Sequence, residues 1–384
     1  MLCVQHDTCF DGNQHRQSSN QGVAVATEHV DVAIIGGGQS GLAAARAAKA
    51  LGTEPVVLEG SGRTTGSWPR YYDSLTLFSP ARFSALPDLP LGGDGNRYPH
   101  RDEIADYLVR YAERLQVDIR TRARVEVVEA DEAGFAIRTA DGHRMTAAGI
   151  VAATGAFGNP ARPELLGQEG FAGEVLHVAD YHDPQPYAGK RIVVVGGGNS
   201  AVQVGHELAR VATVTLATHA PLHFLPQVRG GKDLHHWLTT TGFDHLPPAW
   251  LAHVLPGTLV LDPGDYQNAL HSGRWHRRPM LTRLEGESVI WDDGTRESVD
   301  VVLLATGYRP DLPYLRTLDG ALGDGGGPVH SGGLSLTHPG LVYLGLEFQR
   351  SFASNTLRGV SRDADHVIPP LAAHVHRAPG AAGL

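Results

Sequence analysis

Twice along the chain, a short run of apolar and β-branched residues ends in a glycine cluster that opens a helix. This repetition restricts the fold more than any other feature. In the first copy Val30-Asp-Val-Ala-Ile-Ile35 leads into Gly36-Gly-Gly38-Gln39-Ser40-Gly41, then a helix over 42–51 that stops at Gly52, a strand over 54–58 and a terminal Glu59. In the second, Ile192-Val-Val-Val195 leads into Gly196-Gly-Gly198-Asn199-Ser200-Ala201, a helix to about Arg210 and a strand over 213–217. Continuous apolar runs are what buried parallel strands look like in sequence. A glycine turn between such a strand and a helix N-terminus holds a dinucleotide pyrophosphate. One glycine loop alone is a weak signal; strand, loop, helix, strand and acid in that order make the first unit specific.

Each unit is closed by a strand ending in Ala-Thr-Gly, namely Ala153-Thr154-Gly155 and Ala305-Thr306-Gly307. Gly155 follows Gly36 by 119 residues (155 − 36), and Gly307 follows Gly196 by 111 (307 − 196). Two copies of one plan predict an α/β fold with two Rossmann-like dinucleotide-binding domains, the second inserted in the first. The expected divisions are a disordered tail at 1–28, a discontinuous domain at 29–160 and 300–384, and an inserted domain at 161–299. The repeat also compares the two ligands. Glu59 lies 23 residues after Gly36, and the same step from Gly196 reaches His219 (196 + 23). A carboxylate at this strand tip accepts both hydroxyls of a ribose and repels a 2′-phosphate. Thr218-His219 therefore favours NADPH in the second unit and leaves NADH open.

Composition narrows the partners. A chain of 384 residues with 42% hydrophobic content buries more than one core. The net charge of −9 argues against nucleic acid and anionic membranes, and no apolar run approaches the roughly 20 residues of a membrane span. The polar stretch 1–28 lacks the apolar core of a signal peptide, so a cytoplasmic location is expected. Both cysteines, Cys3 and Cys9, fall in that stretch, leaving the body without disulfide or thiol chemistry. The 21 histidines are scattered; neither His235-His236 nor His271 and His276 has carboxylate or Cys partners at ligand spacing, so no metal site is expected. Residues 101–115 read as an amphipathic helix and are assigned to scaffold.

Between the two units stands Phe171-Ala-Gly173-Glu-Val-Leu-His177-Val-Ala-Asp-Tyr181, which fits F-x-G-x-x-x-H-x-x-x-Y, and ahead of it lies Gly66-Ser67-Trp68. With the two loops and the two Ala-Thr-Gly strands, these motifs follow one another over 30–367 as in the class B flavin-containing monooxygenases, which the chain resembles. In length and in Tyr98-Pro-His-Arg-Asp-Glu103 it is most similar to bacterial arsenic-operon and plant indole-3-pyruvate monooxygenases. The resemblance implies FAD at Gly36, Gly38, Gln39, Ser40, Gly41, Glu59, Gly66, Ser67, Trp68, Val125, Ala153, Thr154, Gly155 and Leu357. It implies NADPH at Gly196, Gly198, Asn199, Ser200, Ala201, His219, Ala305, Thr306 and Gly307.

The implied chemistry is hydride transfer from NADPH to FAD, then reaction of reduced flavin with O2 to a C4a-(hydro)peroxide that oxygenates a small-molecule substrate at sulfur, nitrogen, arsenic or a carbonyl carbon. Trp68, Phe78 and His177 are the implied catalytic-site residues, with His177 hydrogen-bonded in the joint between domains and not a nucleophile. A homodimer is the implied assembly. Phe78 stands where several amine-oxidising relatives carry Asn, which argues against efficient amine oxidation. Tyr181-His182 departs from the Trp of lactone-forming relatives. Quinone reduction and nucleotide sensing, which use the same two folds, stay open, and residues 222–267 are expected to form the variable wall of the substrate pocket.

Overall fold

Two parallel sheets carry the two glycine-loop units. The computed structural model describes residues 27–132, 134–254 and 259–376. All but the last two residues of the expected tail, with both cysteines, lie outside them, and Glu28 already opens the first strand. In the larger, nine-stranded sheet the parallel strands Asp118–Arg120, Pro55–Leu58, Glu28–Ile35, Arg144–Ala152 and Leu341–Tyr343 lie side by side in that order. An antiparallel pair, Val125–Asp131 and Gly134–Thr139, extends it from Arg144–Ala152. The second sheet is parallel throughout, in the order His276–Pro279, Thr213–Thr218, Arg191–Val195, Val301–Leu304, Glu174–His177.

Strands covered on both faces have no polar side to show, which is why Ile34, Val57, Val151, Val193 and Val302 are fully buried. One face of the larger sheet is covered by the helices Gln39–Ala50, Arg101–Leu115 and Val360–Val375. The other carries the antiparallel strands and the segment holding Leu312, Leu315 and Leu318. Each such aliphatic side chain, once buried, contributes roughly 1.5–3 kcal/mol. The 101–115 helix forms with the expected bounds, since Ile104, Leu108 and Tyr111 share its buried face while Asp102 and Glu103 sit in its first turn.

One expected boundary moves. The strand Val301–Leu304 pairs with Arg191–Val195 and Glu174–His177, so a division at residue 300 cuts the second sheet; the chain regains the larger sheet only at Leu341–Tyr343. The last helix begins at Val360, after a turn-rich passage in which a Cβ on Gly359 would stand 2.0 Å from the Ala353 carbonyl oxygen.

Candidate functional site

The two glycine loops are congruent bond for bond. Gly36 N–H donates to Leu58 O at 2.9 Å, and Gly196 N–H donates to Ala217 O at 3.0 Å. Ala153 N–H donates to Ile35 O at 2.9 Å, and Ala305 N–H to Val195 O at 2.8 Å. Gly36 and Gly196 adopt φ +109° and +141°, and a Cβ on them would lie 2.6 Å from Ala153 O and 2.4 Å from Ala305 O. Both loops are thus pressed against their Ala-Thr-Gly strands as only glycine permits. Each then opens a helix, Gln39–Ala50 or Asn199–Leu208, whose N-cap is glycine with no side-chain capping bond. Its free N–H groups and dipole face outward, as an anion-binding turn requires.

The strand tips differ. Glu59, 9% exposed, is locked by two backbone donors: Gly37 N–H reaches Oε2 at 2.7 Å and Ser61 N–H reaches Oε1 at 2.6 Å. Each oxygen keeps lone-pair capacity for a ribose hydroxyl. At the second tip Thr218 is buried and His219 is exposed. Arg277, on the neighbouring strand His276–Pro279, donates from Nε to Thr218 Oγ1 at 2.7 Å and from Nη2 to Thr218 O at 3.3 Å. By the matched bonds of the two loops Thr218, one residue before His219, takes the place of Glu59, and a cation from 59 residues downstream sits beside it.

Both loops open into one cavity of about 1960 Å³, roughly twice the upper end of ordinary single-ligand pockets. Of the expected cofactor residues of the first unit, Gly36, Gly38, Gln39, Ser40 and Glu59 line it, with Gly66, Ser67, Trp68, Val125, Leu357 and all of Ala153-Thr154-Gly155. From the second unit Gly198, Asn199, Ser200, Ala305 and Gly307 line it. Gly41 and Ala201 are buried behind the wall, and Gly196, Thr306 and His219 do not line it. Asn199 is partly committed, since its Oδ1 accepts from Leu261 N–H at 2.8 Å. In the wall of the same cavity the rings of Tyr71, Phe157 and Tyr308 follow one another at 4.5 and 5.1 Å, making an aromatic cluster.

The Phe171–Tyr181 motif explains itself position by position. Phe171 packs on the outer core of the second sheet. Gly173 runs so close to the Val301–Leu304 strand that a Cβ would stand 2.6 Å from Asp300 O. His177 is fully buried, with Nε2 3.1 Å from Gly307 O and Nδ1 3.0 Å from Ala179 N–H. The carbonyl must accept and the amide must donate, so the proton sits on Nε2 and the ring is neutral. Burial, reinforced by Arg162, pushes the imidazole below its ordinary pKa. Tyr181, also fully buried, donates to Glu207 Oε2 at 2.9 Å. The expected catalytic-site residues thus separate: Trp68 and Phe78 line the cavity, whereas His177 lies outside it with both nitrogens spent, pinning the Gly307 turn.

Residues 222–267 supply an aromatic lobe of the same cavity, through Leu234, His235, Leu238 and Phe243. Here lies an arrangement that the sequence reading missed. Asp233 caps the helix Leu234–Thr240 and accepts from His235 N–H at 2.8 Å. The same oxygen lies 2.8 Å from His235 Nδ1, and Oδ2 accepts from Tyr98 O–H at 2.6 Å. Burial raises the carboxyl, but the bonds from His235 and Tyr98 outweigh it and hold Asp233 below its usual range. Burial and this bond push the Tyr98 phenol up to about 12. The legible signal was Asp-x-His across a helix start, a cap residue two positions before its histidine.

Residues 33–229 match the pyridine nucleotide-disulphide oxidoreductase family. A solved flavin-containing monooxygenase from Stenotrophomonas maltophilia superposes with a TM-score of 0.80 at 31% identity, covering 91% of this chain and 99% of that one. Indole-3-pyruvate monooxygenase YUCCA1 of Oryza sativa is 32% identical over 313 residues, 73% of this chain and 77% of its own length. A CzcO-like oxidoreductase of Geobacillus kaustophilus is 29% identical over 90% of this chain and 99% of its own.

Proposed function

This chain belongs to the flavin-containing monooxygenases of the pyridine nucleotide-disulphide oxidoreductase family, and on that premise we propose that it oxygenates a small apolar molecule in the lobe of the cavity beside Phe78. The observation that carries the reading is the single cavity: a flavin on the first loop, a nicotinamide on the second and a substrate in the lobe would share one chamber. A flavin bound there would supply the redox chemistry that links a nicotinamide hydride donor and O2 to the substrate. The chain's own residues do the rest. Glu59 would hold the adenosine ribose of FAD, Gly36 to Gly41 and Gly66 would give its pyrophosphate close access to backbone, and Gly198 to Ser200 would do so for the second nucleotide. Tyr71, Phe157, Tyr308 and the lobe's aromatic rings exclude water from the reacting atoms. Phe78, whose ring offers no hydrogen bond, suits a soft atom such as a thioether sulfur better than an amine.

The test is mass spectrometry of products formed under 18O2 with NADPH and a panel of thioethers, amines and ketones. One 18O atom per product is expected. NADPH oxidation that proceeds anaerobically with a quinone, and no label in any product, would establish a reductase instead.

NADPH is the preferred donor because Arg277 is positioned to meet a 2′-phosphate that the exposed His219 holds weakly. A charge-assisted contact of this kind is worth about 1.5–3 kcal/mol, roughly 10- to 100-fold in affinity. Arg277→Ala should therefore raise the Kd for NADP+ by about 30-fold, read by fluorescence quenching of the holoenzyme, while the Kd for NAD+ changes less than about twofold. Equal weakening of both would mean that Arg277 only braces Thr218.

A further inference from the structure

We infer that His235 is the polar anchor of the substrate lobe, and that the molecules bound there are compact apolar compounds carrying one hydrogen-bond donor, an O–H, N–H or S–H. The inference rests on the reading of the cavity as the oxygenation chamber and adds the chemical class that it admits. His235 is 1% exposed, lines the cavity and lies between two phenyl rings, Phe78 at 6.3 Å and Phe83 at 6.2 Å. Of its neighbours along the lobe, Leu234, Leu238 and Phe243 offer no side-chain polar atom, while Trp237 Nε1 and Thr241 Oγ1 donate to the Arg229 and Trp237 carbonyls. A buried imidazole amid such surfaces needs partners for both nitrogens. Nδ1 has one in Asp233 Oδ1 at 2.8 Å; among the described residues none bonds to Nε2.

The direction of the missing bond follows from the bonds already made. Asp233 Oδ1 also accepts the His235 amide at 2.8 Å, and Oδ2 accepts Tyr98 O–H at 2.6 Å and lies 3.4 Å from Gln227 Nε2. Every neighbour donates, so the carboxyl is an acceptor at both oxygens and the ring proton facing it belongs to Nδ1. With the ring neutral, Nε2 is a lone-pair acceptor, and a donor on the ligand satisfies it. The dyad is held from outside its own helix as well. Gln227 also donates to the Phe78 carbonyl, so the phenyl ring beside the histidine is tied to the same cluster. Asp233 acts here as a positioning residue, fixing which nitrogen of His235 carries the proton.

Matched probes that differ only in the donor test this. With FAD-loaded protein, Kd for 4-ethylphenol and for its methyl ether, 4-ethylanisole, is read from the perturbed flavin absorbance. The intact chain should bind the phenol about tenfold more tightly, the worth of one hydrogen bond to an otherwise unpaired buried acceptor. His235→Leu should bring the ratio to about one, and His235→Gln, whose amide oxygen still accepts, should restore part of it. Asp233→Asn should lower or invert the ratio, because the ring no longer faces an obligatory acceptor, whereas lost packing alone would weaken both probes alike. Flavin content in each variant reports that the fold is kept. A ratio near one in the intact chain, or a phenol preference that survives His235→Leu, overturns the inference. A phenol preference in a protein that never incorporates 18O keeps the anchor and removes the monooxygenase reading; label incorporation without that preference does the reverse.

Discussion

Gly41→Ala should give a protein that purifies without flavin. Gly41 sits in the first turn of the helix Gln39–Ala50, where alanine is normally the better helix former. Here a Cβ would stand 1.8 Å from the Gly36 carbonyl oxygen and 3.0 Å from its carbon, both backbone atoms of the loop that turns under the pyrophosphate. No rotamer change relieves such a contact. Gly36 cannot retreat either, since its own Cα faces Ala153 O and its N–H is bonded to Leu58 O at 2.9 Å. The loop must therefore open, which carries the helix N-terminus away from the ligand. Overpacking against movable side chains costs about 1–3 kcal/mol, and fixed backbone lies at or beyond the upper end, so FAD affinity should fall by at least about 100-fold. Visible absorbance per protein and the Kd of reconstituted FAD give the result. Gly170→Ala is the control, because nothing lies within 4 Å of its added carbon. A yellow Gly41→Ala protein with unchanged FAD affinity would show that the first loop does not hold the flavin.

What the sequence made legible was whatever repeats or is periodic. The two loop units were readable because buried parallel strands are apolar runs of the right length, and because Gly36 and Gly196 answer to the same steric demand against Ala153 and Ala305. The helix Arg101–Leu115 was readable because one face is apolar and its first turn acidic. Contacts made by distant short segments were not. Arg277 stands beside Thr218 only because His276–Pro279 joins the edge of the second sheet, so aligning the two tips by their distance from the loops could find His219 but not the cation next to it. Tyr98 meets Asp233 across 135 residues, and no local pattern in either segment announces the other. The boundary near 300 failed for a related reason: the strand Val301–Leu304 closes the inserted sheet, while the return to the first is made by the three-residue strand Leu341–Tyr343. His177 was legible as a joint, and its geometry strengthens that role at the expense of any catalytic one.

Gly198→Asp should keep FAD and lose reduction by NADPH. Gly198 is the N-cap of the helix Asn199–Leu208, with extended backbone (φ −84°, ψ −178°) and no side-chain cap. Aspartate is among the preferred N-cap residues and is worth a few tenths of a kcal/mol more than glycine there, so the start of the helix accepts it. What changes is charge. Gly198 lines the cavity at the mouth of the second loop, and a carboxylate there takes the helix N–H groups and dipole that an incoming pyrophosphate needs. Like charges about 4 Å apart at an effective dielectric of 20 repel by about 4 kcal/mol; allowing for screening, nucleotide affinity should fall by about 100- to 1000-fold. Stopped-flow reduction at fixed NADPH should slow to match, dithionite should still reduce the flavin, and added salt should recover part of the loss. Gly198→Asn, which caps the helix without the charge, should fall between aspartate and glycine. If Gly198→Asp instead sheds its FAD, the two loops have exchanged roles; if NADPH reduces it at the normal rate, the second loop is not where the nicotinamide nucleotide binds.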